Sequence, residues 1–193
     1  LLALSDKGDR NFKTDAWNVN MPGLDKSVLK EFDFEAVVKN IIVDLRTDFI
    51  LAPHLDVIFN QKADEISQIV ISELSNGSYE PSLPITMSVP KGGLLTRPGS
   101  ILLPKDRLVY QSLVEDLLEE IEEETDRGIS FSHVPSKNKD RLFENTFRGW
   151  HKFQIKLKSI AKKHKFILQC DVANYFESLP QHNLINALEG CGG

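Results

Sequence analysis

The chain has 193 residues, of which 41% are hydrophobic and 26% charged, so a packed core is expected in one large domain or two small ones. No apolar run is long enough to cross a membrane, the first residues do not predict a signal peptide, and two cysteines are too few for a disulfide framework. These features exclude a membrane-spanning or disulfide-stapled class and predict a cytoplasmic protein.

The formal net charge is -5, which taken alone argues against nucleic-acid binding. The charge is unevenly distributed, however. Residues 115–126 carry eight acidic side chains and no basic one, whereas residues 137–165 carry ten Lys or Arg against two acids. The sequence therefore predicts one acidic and one basic helix rather than a uniformly acidic surface.

The first third of the chain predicts a polar lead-in followed by helices. Residues 1–27 are rich in turn-forming residues, and residues 28–47 place apolar side chains at helical spacing. Either one helix covers this stretch, or the helix is interrupted near Asp33 and the stretch forms two helices. Residues 48–60 contain Pro53 and are expected to be irregular.

The middle of the chain predicts a helix and then a hairpin. Residues 62–76 have an amphipathic pattern, and Gly77 is placed where a helix ends. Residues 83–104 contain two apolar or alternating runs around Gly92 and Gly93. A β-hairpin with glycines at its tip is therefore expected.

Two long helices are expected next. Asp106 is predicted to cap a helix from Arg107 to about Thr125. After a loop over residues 128–139, a second helix, basic and aromatic, is predicted from Asp140 to Lys165. The inward side chains expected in the first helix are Val109, Leu113, Leu117 and Ile121.

An apolar run and a carboxylate follow the basic helix. Phe166–Cys170 has the pattern of a short buried strand, which would deliver Asp171 to its end. Phe176 comes five residues later, and Pro180 precedes a predicted helix from Gln181 to Leu188.

Two segments together resemble the reverse transcriptase superfamily, in particular the bacterial branch of retron, group II intron, CRISPR-associated and antiviral-defence enzymes. The first is SVPKGGLLTRPGSILLPKDRLVYQSL, residues 88–113, which resembles the fingers hairpin of that family. The second is DVANYFESLP, residues 171–180, which resembles the first palm motif. The resemblance covers roughly residues 60–193.

The resemblance implies the α+β fold of a right-hand polymerase, of which this sequence would be a truncated part. Residues 1–59 would be an N-terminal helical or loop extension, residues 60–165 a mostly helical fingers region with a β-hairpin, and residues 166–193 the beginning of the palm sheet. The family's Tyr-x-Asp-Asp motif, a second carboxylate site, is not found in this sequence. The sequence is therefore expected to be a fragment that is inactive alone.

Asp171 is the residue that the resemblance assigns to catalysis. Palm polymerases transfer nucleotides with two divalent ions, and Mg²⁺ or Mn²⁺ would be the cofactor. Asp171 would be a metal ligand and the Val172 carbonyl a second contact. The alternative is that Asp171 merely stabilises a strand-to-helix turn.

Three further residues match nucleotide-binding positions of the family. Phe176 lies where the family places the ring that excludes a ribose 2′-hydroxyl, although a buried core aromatic is the alternative. Lys91 and Arg97 match the positions that hold the incoming triphosphate, a task suited to a point charge and a bidentate guanidinium. A solvated hairpin tip is the alternative for this pair.

Nucleic-acid contacts are assigned to two basic stretches. Lys105 and Arg107 either contact the template backbone or simply begin a helix. The basic helix predicted over residues 140–165 either tracks phosphates or presents an ordinary solvated face, and its aromatics have core periodicity. The lysines expected to lie near one face of it are Lys152, Lys156 and Lys163.

The function implied is RNA-directed DNA polymerisation by the full-length protein, with an RNA template, a DNA primer and deoxynucleoside triphosphates as partners. A role in antiphage defence is suggested because the Ser-Leu-Pro-Ile…Val-Pro-Lys lead-in is similar to defence-associated relatives. The alternative is a non-catalytic module that keeps the fold and binds nucleic acid or protein. No membrane partner is expected, and the sequence leaves the oligomeric state open.

Overall fold

The computed structural model describes residues 23–25, 29, 32–48, 50–93, 95–138, 141–172, 175 and 178–191. Its elements in chain order are α1 (Phe34–Thr47), α2 (Pro53–Ser75), β1 (Ile85–Lys91), β2 (Leu95–Ile101), α3 (Pro104–Asp116), α4 (Leu118–Glu123), α5 (Thr146–Ala161) and α6 (Gln181–Cys191). The predicted mixture of helices and an antiparallel sheet is thus confirmed. The lead-in predicted over residues 1–27 lies almost wholly outside the described residues.

The hydrophobic core lies between α1, α2 and α3. Helix α1 contributes Val37, Ile41 and Leu45, whose spacing of four residues keeps them on one face. Burial of each large apolar side chain stabilises the fold by about 1.5–3 kcal/mol. The largest fully buried side chains are Phe59, Ile41, Leu108 and Val70.

The start of α1 and the end of α2 have identifiable capping residues. Asp33 Oδ1 accepts a hydrogen bond of 3.0 Å from the Ala36 amide, which makes Asp33 the N-cap of α1. Gly77, with φ of 66°, follows the end of α2 as predicted. The prediction that residues 48–60 are irregular is wrong in large part, because Pro53 begins α2 rather than breaking it.

The predicted hairpin is confirmed. Strands β1 and β2 pair antiparallel, with Ile85 opposite Ile101 at the root and Lys91 opposite Leu95 at the tip. Gly93 has φ of 79°, a left-handed conformation that glycine adopts without steric cost.

The helix predicted from Arg107 to Thr125 begins earlier, at Pro104, and is divided at Leu117 into α3 and α4. Its predicted inward face is only partly right: Val109 packs against the core, whereas Leu113 and Ile121 are exposed. Leu113 is 49% exposed. Polar side chains can face inward here because they find partners: the Ser112 hydroxyl donates to the Leu108 carbonyl at 2.9 Å. The buried residues of α3 are Asp106, Leu108, Gln111 and Ser112.

The basic helix α5 begins later than predicted, at Thr146, where Asn145 Oδ1 accepts from the Phe147 amide at 2.8 Å. The predicted start at Asp140 lies outside the described residues. Phe147 and Trp150, expected to pack in a core, are 77% and 61% exposed. Helical periodicity therefore identified the helix but not the burial of its aromatic residues.

The strand predicted over Phe166–Cys170 does not form, and this part of the palm sheet prediction is corrected. The segment is exposed and, in the described part of the chain, has no neighbouring strand. A single extended segment cannot satisfy its N–H and C=O groups in a ladder, so the apolar pattern alone does not produce a strand. The predicted helix from Gln181 is confirmed and extends to Cys191.

Candidate functional site

Lys91 and Arg97 lie on the same face of the hairpin. Lys91 is opposite Leu95, and Arg97 is two residues further along β2. Opposite residues of an antiparallel pair share a face, and side chains return to that face every second residue. The two cations are therefore diagonal neighbours, a spacing of roughly 7–8 Å that long side chains bridge. Both are exposed, so they can act together on one anionic group.

The root of this face packs on the helical body. A Cβ on Gly99 would lie 2.7 Å from Cδ1 of Ile50 and from Cγ2 of Val89, so glycine permits this close approach. Val89 is opposite Arg97. The face that carries the two cations near the tip thus continues, at the root, into the surface that contacts the body.

A buried carboxylate holds the two ends of the hairpin together. Asp106, which is 5% exposed, accepts from the Tyr79 hydroxyl at 2.7 Å and from the Ser82 amide at 3.3 Å. Tyr79 and Ser82 precede β1, and Asp106 follows β2 in the first turn of α3. Burial, and then the hydrogen bond to Asp106, raise the pKa of Tyr79. The sequence prediction that Asp106 caps the helix is wrong, because α3 begins at Pro104 with Leu103 as its N-cap. No local signal marks Tyr79 as the partner of Asp106.

The two basic residues that flank Asp106 are in ion pairs within the protein. The Lys105 ammonium donates to both oxygens of Glu73, at 2.9 and 2.7 Å. The Arg107 guanidinium pairs with Asp44, and its side chain is only 18% exposed. These contacts join the start of α3 to α2 and α1. They favour the structural interpretation of Lys105 and Arg107 over contact with a template.

Asp171 lies in an exposed stretch after α5. Its carboxylate accepts a hydrogen bond of 3.0 Å from the amide of Val172, the next residue in the chain. The described residues hold no group of three or more His, Cys, Asp or Glu side chains placed to bind a metal ion. One carboxylate supplies one of the oxygen ligands that Mg²⁺ requires, so these residues do not complete a magnesium site. Phe176 lies outside the described residues.

Two of the lysines predicted to contact nucleic acid lie on one side of α5. Lys152 and Lys156 are four residues apart, and Arg148 precedes Lys152 by the same interval. All three are exposed. Lys163 is exposed as well, just beyond the end of the helix. Arg148 was not predicted as a site residue, although its spacing from Lys152 was readable in the sequence.

A cleft of about 810 Å³ lies between the start of α1 and the acidic helix α4. Most of its charged lining is acidic, and part of that charge is compensated. The Arg127 guanidinium donates to Glu122 and lowers the pKa of that carboxyl. Lys39 pairs with Glu35 at 2.8 Å. The cleft is therefore unsuited to an anionic ligand, and none of the sequence-predicted site residues lines it.

Comparison with protein-family models, with curated proteins and with solved structures finds no match for this chain. Among the described helices, none is sufficiently long and apolar to cross a membrane. The functional interpretation therefore depends on the chain's own motifs and on the geometry above.

Proposed function

We propose that this chain carries the fingers hairpin and the first aspartate motif of a reverse transcriptase, and that it serves RNA-directed DNA synthesis. The observation that supports the proposal most directly is the placement of Lys91 and Arg97 on one face of a hairpin with a glycine tip. The resemblance independently assigns both residues to the incoming triphosphate.

In this proposal the hairpin binds the triphosphate of a deoxynucleotide. Arg97 offers a planar guanidinium that matches two phosphate oxygens, and Lys91 adds a mobile point charge. Gly92 and Gly93 bring no side chain to the tip, and apart from the adjoining residues no described atom lies within 4 Å of a Cβ built on either. The backbone can therefore approach the phosphates closely.

Asp171 would contribute one carboxylate, and Val172 its carbonyl, to a two-metal centre that holds Mg²⁺ or Mn²⁺. Such a centre activates the primer hydroxyl and stabilises the leaving pyrophosphate. Further ligands are needed to form it. Phe176 would exclude a ribose 2′-hydroxyl. A cytoplasmic location and a role in antiphage defence belong to the same proposal and depend on the resemblance alone.

The cationic side of α5 would contact the RNA template or the DNA primer through Lys152 and Lys156, and Lys163, just beyond the end of the helix, would add a further contact. Lysines spaced one turn apart on an exposed helix can follow a phosphate backbone. Lys105 and Arg107, held by Glu73 and Asp44, would instead fix the start of α3 beneath the hairpin.

The test of the polymerase proposal is primer extension by a longer polypeptide that contains these residues. Asp171→Asn should reduce extension on a primed RNA template by about a thousandfold or more, because a neutral amide is a poor ligand for Mg²⁺. Glu189→Gln, an equivalent change at an exposed position on α6, should leave extension unchanged. Unchanged extension by Asp171→Asn would refute the catalytic assignment.

A second candidate function is a non-catalytic module that binds nucleic acid or protein. The exposed cationic side of α5 favours nucleic acid as the ligand of such a module. Contact between lysines and phosphates requires no metal centre. The two proposals differ in one measurement: the module binds oligonucleotides but shows no triphosphate binding that depends on Arg97.

A further inference from the structure

A second cleft, of about 440 Å³, opens at the start of α5. Three cationic side chains line it: Lys137, Arg141 and Arg148. Glu144 is the one acidic side chain among the described residues that line it. The charge of the lining is therefore strongly positive, in contrast to the neighbouring cleft beside α4.

Backbone pairing brings these cations together. Pro135 and Phe143 form an isolated antiparallel bridge, and the Ser136 amide donates to the Leu142 carbonyl at 2.8 Å. The Glu144 amide donates to the Val134 carbonyl at 2.7 Å. These contacts hold residues 134–136 beside residues 142–144, and Lys137, Arg141 and Arg148 line one cleft at the first turn of α5. The excess of basic residues was readable in the sequence, whereas this pairing was not.

The cations of this cleft are not neutralised by the rest of the described structure. Neither Lys137, Arg141 nor Arg148 forms an ion pair with a described residue. Asn145 Oδ1 is used to cap α5, which leaves its amide N–H groups able to donate. Two guanidinia, an ammonium and an amide make a donor set that suits a phosphate group.

The cleft continues into the cationic side of α5. Arg148, Lys152 and Lys156 follow one another at intervals of four residues, which is about 6 Å along the helix axis per step. A phosphate bound in the cleft would therefore lie at one end of this row of cations. This arrangement matches a chain of phosphates better than a single isolated one.

We propose that the cleft lined by Lys137, Arg141 and Arg148 binds a backbone phosphate of a nucleic-acid strand, and that the strand continues along α5. The neighbouring cleft beside α4 shares Arg141 but is otherwise lined mostly by acidic side chains, so we expect the strand to leave toward Lys152. This inference rests on the nucleic-acid-binding part of the proposed function and is independent of the hairpin and of Asp171.

The experiment measures fluorescence anisotropy of a labelled single strand of about twelve thymidines, a length in the range that single-strand sites cover. Arg141→Ala and Arg148→Ala should each raise the dissociation constant of the strand about tenfold at low salt, the loss expected for a charge-assisted hydrogen bond. Each should also reduce the salt slope by about 0.7, the value for one phosphate contact with a single strand. Glu144→Gln should tighten binding, because it removes the acid of the lining.

The matched control is Lys158→Ala, which removes the same charge from another side of α5. It should change the dissociation constant less than about twofold, because an exposed charge away from the strand is screened. Circular dichroism of each variant verifies that α5 is retained. Equal effects of Lys158→Ala and Arg148→Ala would overturn the proposal, since they would indicate general attraction without a site.

Competition separates the two sources of phosphate. Inorganic phosphate and thymidine monophosphate should displace the strand only at concentrations at least about a hundredfold above the strand's own dissociation constant, because they lack the contacts along α5. Displacement at comparable concentrations would overturn the assignment to a strand. Deoxynucleotide binding that is sensitive to Arg97→Ala, together with strand binding that is insensitive to Arg148→Ala, would refute this inference and leave the polymerase proposal intact.

Discussion

The Tyr79 hydroxyl donates a hydrogen bond of 2.7 Å to Oδ1 of Asp106, which joins the segment before the hairpin to the helix after it. The second oxygen of the same carboxylate accepts from the Ser82 amide. The two ends of the hairpin thus meet at one buried acid. The direction in which Lys91 and Arg97 leave the body depends on this junction.

Removal of the Tyr79 hydroxyl should destabilise the protein. Tyr79→Phe leaves a buried carboxylate oxygen without its donor, which costs about 1–3 kcal/mol of unfolding free energy. Urea unfolding of the native chain and of Tyr79→Phe measures the difference. Tyr110→Phe is the control, because Tyr110 is exposed and its hydroxyl has no hydrogen bond in the described structure. Equal stability of native protein and Tyr79→Phe would contradict the junction.

The same hydrogen bond predicts a dependence on alkaline pH. The pKa of Tyr79 is raised in the folded state, so its contribution to stability is complete below the unfolded pKa of about 10 and is lost as pH rises toward the folded pKa. The difference in unfolding free energy between the native chain and Tyr79→Phe should therefore narrow above pH ~10. Urea titrations at several alkaline pH values measure it. A difference that widens with rising pH would contradict the assignment.

Two helical glycines should respond in opposite ways to alanine. A Cβ on Gly149 would lie 2.2 Å from the Phe131 carbonyl oxygen, whereas nothing lies within 4 Å of a Cβ on Gly190. Gly149→Ala should therefore destabilise the protein by about 1–3 kcal/mol, because the added methyl group would be overpacked against the Phe131 backbone. Gly190→Ala should stabilise α6 by up to about 1 kcal/mol, the usual helix propensity gain. Thermal unfolding compares the two variants, and stabilisation by Gly149→Ala would contradict the packing of α5 on the Phe131 loop.

The ion pair between Lys105 and Glu73 should contribute to stability more than to nucleic-acid binding. A double-mutant cycle with Lys105→Ala and Glu73→Ala should give a coupling energy of about 0.5–1 kcal/mol, because the pair is partly exposed. Lys105→Ala should leave oligonucleotide affinity within about twofold of the native value. A tenfold loss of affinity with no coupling energy would show instead that Lys105 contacts nucleic acid.

The parts of the fold that local sequence determines were predicted well. Gly77 marked the end of α2, and Gly92 and Gly93 marked the tip of the hairpin, because these positions depend on backbone preferences of single residues. Alternation over Ile85–Val89 placed β1 without knowledge of its neighbour, whereas the apolar run Ile101–Leu103, expected to be the second strand, begins where β2 ends.

The parts that depend on distant partners were not predictable. Tyr79 and Asp106 are 27 positions apart, and no period in the sequence connects them. The inward face of α3 was misjudged because Asp106 and Ser112 are buried with hydrogen-bond partners. Phe166–Cys170 has the composition of a strand, but a strand also needs a neighbour to pair with.

The candidate site also has a part that the sequence predicts and a part that it does not. The sequence motif identified Lys91 and Arg97, and the pairing register of the hairpin then showed that they share a face. The cleft at Arg141 and Arg148 was not predictable, because it depends on the bridge between Pro135 and Phe143.

The most direct test of the central claim is deoxynucleoside triphosphate binding by this chain, followed through backbone amide chemical shifts. The account predicts that thymidine triphosphate with Mg²⁺ perturbs the hairpin around Lys91 and Arg97, and that Arg97→Ala weakens binding about tenfold. Thr96→Ala, on the opposite face of the hairpin, and Lys158→Ala should bind as the native chain does. Perturbation that leaves the hairpin unaffected, or equal affinity in Arg97→Ala, would contradict the assignment of the hairpin to the triphosphate.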